Sequence, residues 1–95
     1  MVRVILSGHL EVPLVDLDAV RQELSSHIEA TLAEKGCITF EVAESAERAG
    51  RFTVYEEFSS REAFELHQER VANSRWGQVA ASATRYYTVT EVGPD

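Results

Sequence analysis

Between Arg51 and Gly77 the hydrophobic period changes from two to three-and-four with no room for a loop, so a strand must hand directly to a helix that packs back beside it. Phe52, Val54, Glu56 and Phe58 alternate with Thr53, Tyr55 and Glu57, the pattern of a half-buried strand. Ser59 and Glu62 follow at the spacing of a capping box, in which an N-cap hydroxyl and a carboxylate three residues on satisfy each other's backbone donors. A helix is expected from that point. On it Phe64, His67 and Val71 share one face, with Ala63 beside them, and that face is apolar except for His67.

The flanking sequence supplies the remaining elements. Val2, Val4 and Leu6 alternate with Arg3, Ile5 and Ser7 in a first strand that ends near Glu11, before Pro13 interrupts the ladder. Asp16 is placed to cap a helix carrying Leu17, Val20, Leu24, Ile28 and Leu32 at intervals of three and four, closed by Lys35-Gly36. On this helix His27 falls near the polar edge. Cys37 to Val42 reads as a second strand, joined through the polar segment 44–50 to the Phe52–Phe58 strand as an antiparallel hairpin. Asn73-Ser74 starts a short turn through Trp76 and Val79. Thr84 to Val92, rich in β-branched and aromatic residues, makes the last strand, with Gly93-Pro94-Asp95 as a frayed end. The order β-α-β-β-α-β predicts an α+β, ferredoxin-like fold: a four-stranded antiparallel sheet with both helices on one face.

The 95 residues, with no Pro/Gly/Ser-rich linker, suit a single domain over residues 1–95. A chain this short buries a modest share of its surface, which favours a homodimer as a further source of apolar burial. Sixteen acidic against nine basic residues leave a formal charge of −7, with the basic ones dispersed, so neither nucleic acid nor a membrane surface is expected as a partner. No signal-like N-terminus and no long apolar run is present, and a cytoplasmic location is expected. Cys37, the sole cysteine, reads as a small buried hydrophobe.

Among residues that could carry chemistry, His67 stands first, because an imidazole exchanges protons near neutral pH. Two readings stay open at this point: a core histidine held by one hydrogen bond, or a proton acceptor in a pocket. Glu56 shares the apolar face of its strand and needs a partner there, and His67 is a candidate. Trp76 can wall a pocket or plug the core, and Phe40, Phe52, Phe58, Phe64, Tyr86 and Tyr87 can pack the interior or line a site for a flat aromatic ligand. His9 and His27 form no local spacing with His67 that signals a metal. No HExxH, Cys/His cluster, glycine-rich phosphate loop or nucleophile elbow is present, so no metal and no nucleotide cofactor is expected.

Gly36-Cys37-Ile38-Thr39-Phe40, Arg51 through Phe58, Glu62-Ala63-Phe64-Glu65-Leu66-His67 and Ser74-Arg75-Trp76-Gly77 together resemble the antibiotic biosynthesis monooxygenase domain, in particular its small quinol-monooxygenase-like members. The resemblance implies a dimeric α+β barrel in which two sheets pack together, with a pocket between each sheet and its helices. It implies oxygenation of a small hydroxylated aromatic or quinol by O2 without any cofactor, with His67 as base, supported by Glu56. Trp76, Phe64, Phe58, Phe52, Phe40 and Tyr86 would then bind the substrate. A non-catalytic small-ligand-binding protein and an isomerase-type acid–base enzyme are alternatives that use the same pocket. Val54 and Phe58 stand where polyketide-tailoring members carry Asn and Trp, so their mechanism is not transferred. Haem-degrading relatives use an Asn, Trp and His set, but no Asn stands near Ser7-Gly8 and His67 occupies the position of the Trp.

Overall fold

The computed structural model describes residues 2–93, so Pro94 and Asp95 of the expected frayed end lie outside the described residues. The elements in order are β1 (Arg3–Glu11), a short 3-10 turn (Leu14–Asp16), α1 (Leu17–Leu32), β2 (Cys37–Glu44), β3 (Arg51–Phe58), α2 (Arg61–Ala72), α3 (Arg75–Val79) and β4 (Thr84–Val92). The four strands form one antiparallel sheet in the order β2-β3-β1-β4, which is the expected ferredoxin-like arrangement.

Register decides which residues share a face. Phe40 pairs with Glu56, Glu56 with Leu6 and Leu6 with Val89, so these four form one row across the sheet. Val42, Val54, Gly8 and Tyr87 form the next row on the same face. From this face Val4, Leu6, Leu10, Phe52, Val54 and Phe58 pack with Leu17, Val20, Phe64, Trp76 and Ala80 into the hydrophobic core. Helix α1 lies against β2, α2 touches β1 and β3, and the short α3 packs against both α1 and α2. Gly8 sits at φ +146°, and a Cβ there would come within 2.0 Å of the Tyr86 carbonyl oxygen, so only glycine allows β4 to pair so closely with β1. Among the described residues, no helix is long and apolar enough to cross a membrane.

Three local expectations are corrected. The hydroxyl capping α2 belongs to Ser60, which accepts from the Ala63 backbone N–H at 3.0 Å; the capping box predicted for Ser59 and Glu62 does not form. The extended backbone of Ser60, at φ −160° and ψ 164°, meets the geometry of an N-cap and starts the helix one residue later. Asp16 stands at the start of α1 but makes no side-chain cap; its carboxylate accepts instead from the Ser82 hydroxyl at 2.6 Å.

The third correction concerns α1 itself. Leu17, Val20, His27 and Thr31 are buried and Leu24 packs on the core, whereas Ile28 is half-buried and Leu32 is exposed. Successive steps of four advance about 40° around a helix of 3.6 residues per turn, so the predicted series drifts off the buried face by Leu32. The alternation 17, 20, 24, 27, 31 does not drift. His27 therefore sits at the centre of the inward stripe, not at its polar edge.

Candidate active site between the sheet and the helices

The strand-to-helix hand-over brings together the two residues that the sequence singles out. Glu56 projects from the helix-covered face of β3, and Phe64 and His67 project back toward it from α2. His67 is 2% exposed and Glu56 is 7% exposed. The imidazole lies 4.8 Å from the Phe58 ring and 5.7 Å from the Phe40 ring, and its Nε2 is 3.7 Å from Glu56 Oε1. That separation is within reach of a charge–charge interaction but too long for a hydrogen bond, and Glu56 Oε1 is left without a hydrogen-bond partner.

The opposite edge of the ring is held more tightly, and by a residue that sequence reasoning missed. Nδ1 is 2.9 Å from Oε1 of Glu34, which lies on the turn between α1 and β2. Arg70, one turn beyond His67 on α2, binds the other Glu34 oxygen through Nε and donates from Nη2 to the Thr31 hydroxyl at 2.9 Å. Thr31, fully buried, donates in turn to the carbonyl of His27 at 2.8 Å. The i, i+3 spacing of His67 and Arg70 carried part of this signal. Glu34 lies 33 positions from His67 and has no local pattern of its own.

Burial sets the proton affinities. Glu56 is pushed up to about 7, first by loss of hydration and then by the negative charge of Glu34. His67 is held below the usual imidazole value by burial, against which the charge and hydrogen bond of Glu34 act in the raising direction. His27 is lowered further, to about 3, by burial and then by His67 and Arg70. Its ring stacks on Trp76 at 4.4 Å with planes 4° apart and meets Phe40 edge-on at 5.2 Å. A neutral imidazole suits that sandwich, although its Nδ1 has no hydrogen-bond partner. The two histidine rings lie 6.3 Å apart, a proximity that no sequence spacing signalled.

Two pockets flank this cluster. One of about 260 Å³ is lined by Glu34, Lys35, Ala63, Leu66, His67 and Arg70. Gly36 also lines it, and a Cβ on Gly36 would come within 2.3 Å of the Ala63 Cβ, so the glycine lets the turn before β2 approach α2. The other, of about 190 Å³, opens between α1 and the α2–α3 junction beside His27, Arg70, Arg75 and Trp76.

The predicted aromatic wall is only partly assembled. Phe58 and Phe40 flank His67, Phe64 packs on Phe58 at 5.8 Å, and Trp76 walls the second pocket through its stack with His27. Phe52 is fully buried in the core and lines neither pocket. Tyr86 is removed from the site altogether. It pairs with His9, and through it with Thr53, on the opposite face of the sheet, where it is 55% exposed and stacks on the His9 ring at 4.8 Å. Tyr87, one residue on, faces inward and is half-buried, with its phenol pushed up to about 12 by burial. Among the described residues, no group of three or more His, Cys, Asp and Glu side chains is placed to hold a metal ion.

Comparison with known proteins places the chain. The family model described as antibiotic biosynthesis monooxygenase matches residues 3–78. Solved structures share the fold. A Nitrosomonas europaea protein, provisionally named an antibiotic biosynthesis monooxygenase, superposes with a TM-score of 0.73 at 21% identity, covering 99% of this chain and 98% of that one. A conserved Bacteroides thetaiotaomicron protein of unknown function gives 0.74 at 19% identity over 96% of each chain. Rv0793 from Mycobacterium tuberculosis gives 0.65 at 25% identity, covering 99% of this chain and 95% of its own. None of the curated proteins matches the chain.

Proposed function

The chain belongs to the antibiotic biosynthesis monooxygenase family, and on that premise we propose that it is a cofactor-independent monooxygenase acting on a small hydroxylated aromatic or quinol. The observation that carries the proposal is His67, a buried imidazole set between two carboxylates and forming part of the wall of a pocket of about 260 Å³. A histidine serving only to fill the core needs one hydrogen bond, which Glu34 supplies, and the second carboxyl and the place in the pocket wall go beyond that need. His67 is the proton acceptor, and Glu56, 3.7 Å from Nε2, is the carboxyl that faces the imidazolium that forms.

The chemistry balances without a further reductant. Loss of the hydroxyl proton to His67 leaves an electron-rich aryloxide, which gives electrons to O2. One oxygen atom is then bonded to the ring and the other leaves as water, so that a phenol and O2 become a quinone and water. Phe40 and Phe58, packed against the imidazole, keep bulk water from it.

The test is O2 uptake with a panel of phenols and hydroquinones, using wild type and His67→Ala, repeated under argon. Uptake by wild type that falls at least ~100-fold in the variant supports the reading. Absence of uptake over the blank across the panel overturns it. Ligand binding seen by Trp76 fluorescence with no product points instead to a binding protein, and product formed under argon points to an isomerase-type enzyme.

A second copy of the chain is the proposed partner, seated on the sheet face away from the helices. Ile5, Ser7, His9, Tyr55, Tyr86 and Thr88 share that face, and Tyr55 and Tyr86 are 37% and 55% exposed. A mass of one chain by light scattering at micromolar concentration excludes the dimer.

A further inference from the structure

We infer that Glu34, braced by Arg70, is a positioning residue that fixes His67 as the tautomer protonated on Nδ1 and leaves Nε2 bare toward Glu56. This rests in part on the proposed role of His67, but the geometry stands without it.

Glu34 is pinned before its side chain does anything. Its backbone N–H donates to the Thr31 carbonyl at 3.0 Å and its carbonyl accepts from the Cys37 N–H at 3.1 Å, so the turn between α1 and β2 is tied at both ends. The carboxylate is then oriented by Arg70, whose guanidinium is fixed in its turn by the buried Thr31 hydroxyl. Arg70 therefore sits in a fork, with Nε on the carboxylate and Nη2 on the hydroxyl, and the planar guanidinium cannot satisfy both while rotated.

With one oxygen bound to the guanidinium, the Glu34 carboxylate meets Nδ1 as an acceptor at 2.9 Å. Nδ1 must carry the hydrogen for that contact to be favourable. A neutral imidazole has one N–H, so Nε2 keeps its lone pair and is the atom that receives a proton. In free histidine the hydrogen prefers Nε2, and Glu34 reverses that preference. A hydrogen bond to a charged group inside a protein corresponds to a bias of about tenfold or more, enough to make one tautomer dominant.

The consequence is directional. Any proton taken by His67 enters on the Glu56 edge, and the imidazolium is then hydrogen-bonded on the Glu34 edge and faces a carboxyl on the other. Arg70 lies four residues from Leu66 and three from His67, so α2 supplies the imidazole, its brace and part of the pocket wall from one rigid element.

The experiment reads the tautomer directly, by long-range proton–nitrogen correlation NMR on protein labelled with 15N in histidine, with His67→Ala identifying the signal. In wild type, His67 is expected to show a protonated Nδ1 and an unprotonated Nε2 by about tenfold or more. In Glu34→Ala the ratio collapses to the free-histidine preference for Nε2–H, and Glu34→Asp recovers part of the wild-type ratio. Arg70→Lys, which keeps the charge but not the fork, gives an intermediate ratio. A wild-type signal with the hydrogen on Nε2, or a ratio that Glu34→Ala leaves unchanged while circular dichroism shows a folded protein, overturns the inference. Because the readout needs no turnover, its failure is distinct from absence of O2 uptake.

Discussion

His67 Nε2 lies 3.7 Å from Glu56 Oε1, in a place where each side chain is almost fully removed from water. Neither group can be assigned its solution behaviour there. Loss of hydration pushes the acid up and the base down, so the pair is driven toward a neutral carboxyl beside a neutral imidazole. The protonation of each group is therefore governed by its protein neighbours and not by bulk water.

The first prediction concerns the pH dependence of stability. The Glu56 carboxyl binds its proton more tightly folded than unfolded, so its contribution is fully present below about pH 4.5 and is lost as the pH rises to about 7. Moving the carboxyl from 4.5 to about 7 corresponds to about 3 kcal/mol across that window. Glu56→Gln, which has no proton to lose, is expected to gain about that much relative to wild type between pH 4.5 and pH 8. Urea denaturation of both proteins at several pH values measures the difference, and parallel curves contradict it.

His27 carries the opposite sign. Its folded affinity is lowered to about 3, so stability is lost as the pH falls below 6.5, where the unfolded chain takes up a proton that the folded one refuses. His27→Phe keeps an aromatic ring against Trp76 and removes the unpartnered Nδ1. At pH 5 the variant is expected to gain about 2 kcal/mol on wild type relative to the difference at pH 8. Thermal melts at the two pH values report it.

Gly36 and Ala63 form a contact that leaves no room for a methyl group. Gly36→Ala places its Cβ within 2.3 Å of the Ala63 Cβ and is expected to cost roughly 1–3 kcal/mol by forcing α2 away from the turn before β2. Ala63→Gly in the same chain should recover most of that loss, and a double-mutant cycle by chemical denaturation measures the coupling. Additive effects would place the clash elsewhere.

The two adjacent serines before α2 separate by their caps. Ser60→Ala removes the hydroxyl that accepts from the Ala63 N–H and is expected to cost about 1 kcal/mol. Ser59→Ala should cost a few tenths at most. Equal losses in the two variants would show that the start of the helix has been misplaced.

Much of this protein was legible in one dimension because its signals are local. Alternation in Phe52–Phe58 put Glu56 on the inward face, and the spacing of Phe64, His67 and Val71 put the imidazole on the inner side of α2. The element order gave the ferredoxin-like sheet, and the motifs around His67 identified the family. Where the reading failed, a longer-range geometry intervened. Residue type offers Tyr86 and Tyr87 alike, but the face of each is set by the β1–β4 ladder, where Tyr86 pairs with His9 on the outer face and Tyr87, one position on, turns inward. The spacing of Leu17, Leu24, Ile28 and Leu32 puts His27 at a polar edge, whereas packing against β2 and α3 selects the neighbouring stripe.

By itself, then, the sequence determined the elements, their order and the face on which His67 and Glu56 lie, since side-chain periodicity follows from backbone geometry within a few residues. Only the tertiary structure decided what His67 meets. Glu34 arrives from the α1–β2 turn and is braced by Arg70, and Trp76 arrives from α3 to stack on His27. Those contacts depend on how separate elements dock, and a hydrogen bond spanning 33 positions leaves no periodic trace in the chain that makes it.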